Sequence, residues 1–177
     1  MSKILDIIKN LEKSNNYKGI SYLSDETEEE IVRVTMGNYA INMLIGGDFN
    51  GVPDSRIYMF GGEKGSGKTY LATQFIKGLF REHNYDQIIW IDSEGSAFSK
   101  HDFESFGLSQ EEVDKIIVFP VSIVEELSSF LSMFVNDYEA EFLNKTSKIF
   151  ESRSKVALIL DSISNLSSKK EVDDIKE

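Results

Sequence analysis

The chain has 177 residues, of which 41 % are hydrophobic, enough for one domain with an apolar core. It has no cysteine and only two histidines, which excludes disulfides, thiolate metal sites, a cysteine nucleophile and a histidine-rich metal site. The net charge is −11 and the sequence shows no basic run of the kind that neutralises nucleic-acid phosphates, so in any DNA-binding role this stretch is not expected to be the main contact. No apolar run is long enough to span a bilayer, and the first residues lack the uninterrupted apolar region and cleavage site of a secretion signal. The expected setting is a reducing cytoplasm with no membrane partner.

Residues 3–13 read as an amphipathic helix, with Ile4, Leu5, Ile7, Ile8 and Leu11 in one stripe. Such a stripe packs either on its own domain or on a neighbouring subunit. Residues 14–24 are polar and read as a linker, and the acidic run 25–30 reads as a solvated face. A division follows, with 1–30 as helix and linker and 31–177 as the main domain. Residues 31–36 are β-branched and strand-like, 40–45 form a short helix or strand ended by Gly46 and Gly47, and 50–54 carry turn chemistry. The apolar run 56–60 suits a buried strand.

Next comes Gly62-Glu63-Lys64-Gly65-Ser66-Gly67-Lys68-Thr69, the pattern G-x-x-x-x-G-K-T. Its glycines let the backbone turn tightly and aim N–H groups inward, which makes an anion-binding nest. Lys68 can reach the terminal phosphates of a nucleoside triphosphate, and the Thr69 hydroxyl can ligate Mg²⁺. Tyr70 opens an apolar-periodic helix over 70–80, whose N-terminal dipole favours phosphate. Strand, loop and helix in this order are what a phosphate cradle requires.

Residues 87–91 predict a second buried strand, ending in Asp92-Ser93-Glu94-Gly95. A short helix follows at 100–106 and a third strand at 114–120. Ser122 and Glu125 have capping-box spacing and open a long helix whose apolar positions run through Leu127, Phe130, Leu131, Phe134 and Val135, and on to Tyr138, Phe142 and Ile149. Residues 155–162 are a fourth strand, tipped by Asp161. Strands alternating with helices imply an α/β fold with a parallel sheet flanked by helices. Acids at the carboxyl ends of such strands sit where these sheets bind ligands. Asp161 is therefore the expected metal-holding partner of Thr69. Glu94 is the expected base that polarises water, with Asp92 in support.

These residues resemble the RecA-family recombinases, with the nearer likeness to the UvsX-type recombinases of phages. The run Val156-Ala157-Leu158-Ile159-Leu160-Asp161-Ser162-Ile163-Ser164-Asn165-Leu166-Ser167-Ser168-Lys169-Lys170-Glu171 is similar to their Walker B region. Trp90-Ile91-Asp92-Ser93-Glu94 resembles the strand carrying their glutamate, and 31–35 with 42–47 resemble the stretch ahead of their phosphate loop. The likeness covers most of the chain from about Ile31 on. It implies a RecA-like P-loop NTPase core, ATP and Mg²⁺ as ligands, and hydrolysis coupled to filament formation on single-stranded DNA in recombination and repair. Lys68 and Glu94 become the catalytic residues. The nucleotide-binding set is Gly62, Glu63, Lys64, Gly65, Ser66, Gly67, Lys68, Thr69 and Tyr70, with Phe103 nearest to the family's adenine-stacking aromatic. Residues 3–13 and part of 31–36 become a self-association surface, and a phage origin would place the protein in a bacterial cytoplasm.

Three departures stand against the family pattern. The phosphate loop is more standard than the family's own, the stretch around 132–153 is longer, and the sequence stops soon after Asp161. The family's DNA-binding loops follow that point, as does a strand that lies between the phosphate-loop strand and the Walker B strand. The expectation is an incomplete core with a gap in its sheet, single-stranded DNA being contacted through the part that is lacking. Two other readings stay open. One is a nucleotide-binding assembly or regulatory module without DNA binding or hydrolysis. The other is a small-molecule P-loop kinase, disfavoured because no arginine-rich lid segment is seen.

Overall fold

In the computed structural model, the strand Gln87–Asp92 has a parallel neighbour on each side and is buried along its whole length past Gln87. The structure describes residues 31–95, 99–142 and 154–174, together with Lys3, Ile4, Asp6, Ile7 and Asn10. The chain separates into two units, Met1–Ile31 and Val32–Glu177. In the first, Lys3, Ile4, Asp6, Ile7 and Asn10 are helical, as the apolar spacing predicts, and Ile31 is in neither helix nor strand. The linker 14–24 and the acidic run 25–30 lie outside the described residues.

The second unit is a mixed α/β domain. Its strands are β1 (Arg33–Val34), β2 (Val52–Pro53), β3 (Gln87–Asp92), β4 (Ile116–Pro120) and β5 (Val156–Asp161). Its helices are α1 (Tyr39–Gly46), α2 (Lys68–His83), α3 (Lys100–Ser105), α4 (Gln110–Val113), α5 (Val124–Phe142) and α6 (Lys169–Asp174), with a 3₁₀ turn at Ile163–Asn165. The main sheet has three parallel strands in the order β4-β3-β5. A separate antiparallel pair, β1 with β2, covers only two residues on each side.

Alternation along β3 explains the layering. Side chains two apart share a face of a strand. Ile88 and Trp90 join Val34, Ala72, Ile76, Leu79, Phe80 and Phe103 in one core. Ile89 and Ile91 join Val121 and Leu127 in another, backed by Phe119, Phe130 and Phe134. The sheet is therefore covered by α2 and α3 on one face and by α5 on the other, which is why its central strand is a continuous apolar run. Phe119, Phe130, Phe134 and Tyr138 form a stacked file along α5.

The segment ahead of β2 is organised by polar groups. Asn38 caps α1 by accepting from the N–H groups of Ala40 and Ile41. Gly47, at φ 66, ends the helix in the left-handed conformation. This decides the ambiguous reading of 40–45 in favour of helix. Buried Asn42 accepts from Met36 N–H at 2.7 Å and donates to Thr35 Oγ1 and the Phe49 carbonyl. Close backbone packing of α2 on β1 needs Gly78, where a Cβ would come within 2.5 Å of the Thr35 carbonyl oxygen.

Two expectations are corrected. Residues 56–60 are not a strand. Tyr58 and Phe60 turn inward, Tyr58 making an edge contact with Phe75, but Ile57 is 100 % exposed and Met59 is 84 % exposed. The run has strand composition but, among the described residues, no neighbouring strand, and a strand exists only through its ladder. Ser122 and Glu125 do not form a capping box on α5, which starts at Val124. Instead, the Ser122 carbonyl accepts from Ser167 N–H, and Glu125 Oε2 accepts from Lys169 N–H at the start of α6. The spacing is right, but the glutamate satisfies a different helix.

Candidate nucleotide site

The register of the sheet brings the acids together. Asp92 and Asp161 are direct partners at the carboxyl ends of β3 and β5, although 69 residues separate them in sequence. Ser93 N–H extends the ladder by donating to the Asp161 carbonyl at 3.0 Å. Asp92 then turns the chain. Its Oδ1 accepts from the N–H groups of both Glu94 and Gly95 at 3.0 Å. This side-chain turn lifts Glu94 off the strand end and exposes it. Asp92 thus fixes the backbone at Glu94 through this turn.

The glycine-rich loop enters from the other side. Gly65 at φ 79 and Gly67 at φ 91 hold conformations that side chains rarely adopt. Gly67 is the N-cap of α2, so the loop ends where the helix presents its free N–H groups. Lys68 folds back over the loop, its Nζ donating to the carbonyls of Gly62 and Glu63 at 3.0 Å each. Ser66 N–H donates to the Glu63 carbonyl. Glu63, Lys64 and Ser66 are themselves exposed. A cavity of about 380 Å³ opens beside the loop, lined among others by Ile45, Tyr58, Met59, Lys68 and Leu71.

One contact joins the two sides. Thr69 Oγ1 donates to Asp161 Oδ2 at 2.8 Å, across 92 residues of sequence. Burial raises the Asp161 carboxyl above the usual aspartate range. The Thr69 hydrogen bond opposes this, the negative charges of Glu94 and Asp92 add to it, and Lys68 opposes it. Asp161 is thus a partly buried carboxylate among like charges. A hydroxyl and a carboxylate oxygen are the hard donors that Mg²⁺ takes, and Thr69 with Asp161 fit that ion. Among the described residues no group of three or more histidine, aspartate or glutamate side chains is placed to hold a metal. An ion delivered with a nucleotide uses only one or two protein carboxylates, the rest of its shell being phosphate and water.

The predicted residues are not all brought together. Lys68, Thr69, Asp161 and Glu94 share the site. Tyr70 lies just past the loop, 52 % exposed, with an edge contact to Phe106. Phe103 is elsewhere: it is 2 % exposed and packs edge-on against Trp90 inside the core. A ring enclosed in this way has no free face to stack on a base. Sequence reasoning also overlooked Ser93 and Ser162, which lie between the acids. The signal was present in the matching Asp-Ser pairs at 92–93 and 161–162, but only the strand register shows that they meet.

Comparison with known proteins finds no match, either to a family model or to a curated protein. Among the described residues no helix is long and apolar enough to cross a membrane.

Proposed function

We propose that this chain binds ATP with Mg²⁺ on the loop 62–69 and belongs to a recombinase ATPase of the RecA and UvsX type. In this reading, hydrolysis is coupled to filament formation on single-stranded DNA. The observation that carries the nucleotide part is the 2.8 Å bond from Thr69 to Asp161, which brings the hydroxyl after the loop lysine onto the acid ending β5. The resemblance of 156–171 and 90–94 to those recombinases supports the rest.

The chain's residues divide the work as follows. The Lys68 ammonium leaves the Gly62 and Glu63 carbonyls for the phosphates, exchanging two neutral acceptors for charged ones. Thr69 and Asp161 hold Mg²⁺, which supplies charge neutralisation at the phosphates when bound. Glu94, exposed at the turn after β3, orients a water and accepts its proton as the water oxygen bonds to the terminal phosphorus and the bond from that phosphorus to the bridging oxygen breaks, ADP leaving with that oxygen. Among the described residues, β5 has a strand neighbour on one side and 56–60 has none, which supports the reading of a RecA-like sheet in which a further strand lies between them. The charge of −11 argues that the main DNA contacts are not on this chain's own surface.

The second reading is a nucleotide-binding assembly module without turnover. The observation favouring it is the self-occupied loop, in which Lys68 is already engaged by backbone carbonyls. Fluorescent-ATP binding and phosphate release, measured with and without single-stranded DNA, separate the two. Lys68→Ala is expected to weaken ATP binding about tenfold or more, from the loss of charge-assisted contacts, and to abolish release. Glu94→Gln is expected to keep binding and lose release. Binding without release in the wild type, whether or not DNA is present, favours the module. Absence of binding refutes both readings.

A further inference from the structure

We infer that Ser162 is a positioning residue for the Glu94 carboxylate, held in place by Ser93. The inference rests on the reading of Glu94 as the base. Ser162 Oγ donates to Glu94 Oε1 at 3.1 Å. Ser93 grips the backbone of Ser162 from both sides, its hydroxyl accepting from Ser162 N–H at 2.9 Å and donating to the Ser162 carbonyl. Ser93 is itself buried, so this grip is sheltered from water.

Hydrogen counting fixes the direction of the chain of bonds. A serine hydroxyl has one proton. The proton of Ser93 goes to the Ser162 carbonyl and that of Ser162 goes to Glu94. The 2.7 Å contact between the hydroxyls of Ser162 and Ser164 is therefore donated by Ser164. The outcome is a relay, Ser164 to Ser162 to Glu94, tied to the sheet through Ser93. Each bond polarises the next.

The relay solves a specific problem. Glu94 is exposed and its side chain has several free rotors, so by itself it spends little time in one pose. The relay engages Oε1. Among the described residues no bond engages Oε2, which is left to accept a proton. Ser162 also follows Asp161 directly, so the base and the metal-holding acid are set relative to each other through one residue. Matching Asp-Ser pairs on two adjacent strand tips give this arrangement, because the register places Asp92 beside Asp161.

The test uses the 177-residue chain with Mg–ATP as the probe and the variants Ser162→Ala, Ser162→Thr and Glu94→Gln. The ¹³C carboxyl resonance of Glu94, assigned by its disappearance in Glu94→Gln, is expected to move in Ser162→Ala and to stay in Ser162→Thr. In turnover, Ser162→Ala is expected to lower kcat about 10- to 100-fold, the scale of a misplaced catalytic group, with the KM for ATP within about twofold of wild type. Ser162→Thr recovers most of that loss, and Ser162→Ala adds nothing in the Glu94→Gln background. An unmoved carboxyl resonance overturns the inference, as does unchanged kcat or a Ser162→Ala penalty that persists on Glu94→Gln. A wild type that binds Mg–ATP without turning it over overturns the proposed hydrolysis instead; the relay then stands or falls on the resonance alone.

Discussion

Asp92 and Asp161 stand at the tips of strands paired along six residues, whereas the loop 62–69 follows a segment, 56–60, with no strand partner among the described residues. The first region is fixed by a backbone ladder between two apolar cores. Among the described residues, the second is fixed mainly from its far side, through Ala72, Ile76, Leu79 and Phe80 of α2 and through the Thr69 bond to Asp161, with Tyr58 holding its near side against Phe75. The difference teaches where the rigidity of the site comes from. The acids are placed by the sheet and the phosphate loop by the helix after it. The strand-like run before the loop contributes Tyr58 and Phe60 to the domain but leaves Ile57 and Met59 in water.

Truncation on the two sides breaks the comparison most directly. Trp90 is fully buried at the centre of β3, so Trp90→Ala is expected to cost about 3–5 kcal/mol and to unfold much of the population. Ile57→Ser changes a fully exposed side chain and is expected to stay within about 0.5 kcal/mol of wild type. Urea unfolding followed by circular dichroism measures both. A penalty at Ile57 approaching that at Trp90 shows that 56–60 is covered in solution and that the contrast is false.

The legible parts of the chain were those whose signals are local. The phosphate loop needs only eight neighbouring residues, and its turns and helix start follow from them. The β3 strand is legible because 88–91 are apolar and buried on both faces, and β5, only partly buried, because 156–160 are apolar throughout. Residues 56–60 read the same way and are not a strand, because composition cannot reveal whether a partner lies alongside. Phe103 was placed near the base by family spacing, yet the helix face it occupies turns it onto Trp90. Ser162 was not singled out, since its role depends on a register between residues 69 apart. Glu125 shows the same limit, as its capping spacing was correct and its partner was not.

The strand tips carry an electrostatic cost that the loop does not share, and Asp161→Asn sharpens this contrast. The Asp161 carboxyl keeps its proton to higher pH in the folded chain than in the unfolded one, because of burial and the charges of Glu94 and Asp92. Between the ordinary aspartate range and that raised value the folded state binds more protons, so stability falls as pH rises. Without nucleotide, Asp161→Asn is expected to melt at a higher temperature than wild type near neutral pH. The gap closes as pH falls through the raised value, where the wild-type acid is also neutral. Glu94→Gln relieves part of the same repulsion. A variant no more stable than wild type near neutral pH removes the strain from the strand tips.

A small effect is also expected at the far end of α2. Arg81 donates to both oxygens of Glu112, at 2.6 and 2.8 Å, and the pair bridges α2 to α4. The Arg81 hydrogen bond holds the Glu112 carboxyl below the usual glutamate range, against the effect of burial and helped by Ser109 N–H. The pair therefore stabilises above the ordinary glutamate range, and its contribution is lost as pH falls through the lowered value. Arg81 is about half exposed, so solvent and salt screen the interaction, and Arg81→Met is expected to cost no more than about 1 kcal/mol. Its ATP affinity is expected to match that of wild type, because the start of α2 is anchored by the core face and by Thr69. An affinity loss of about tenfold on Arg81→Met, the equivalent of about 1.4 kcal/mol, places the anchor of the phosphate loop at the wrong end of the helix.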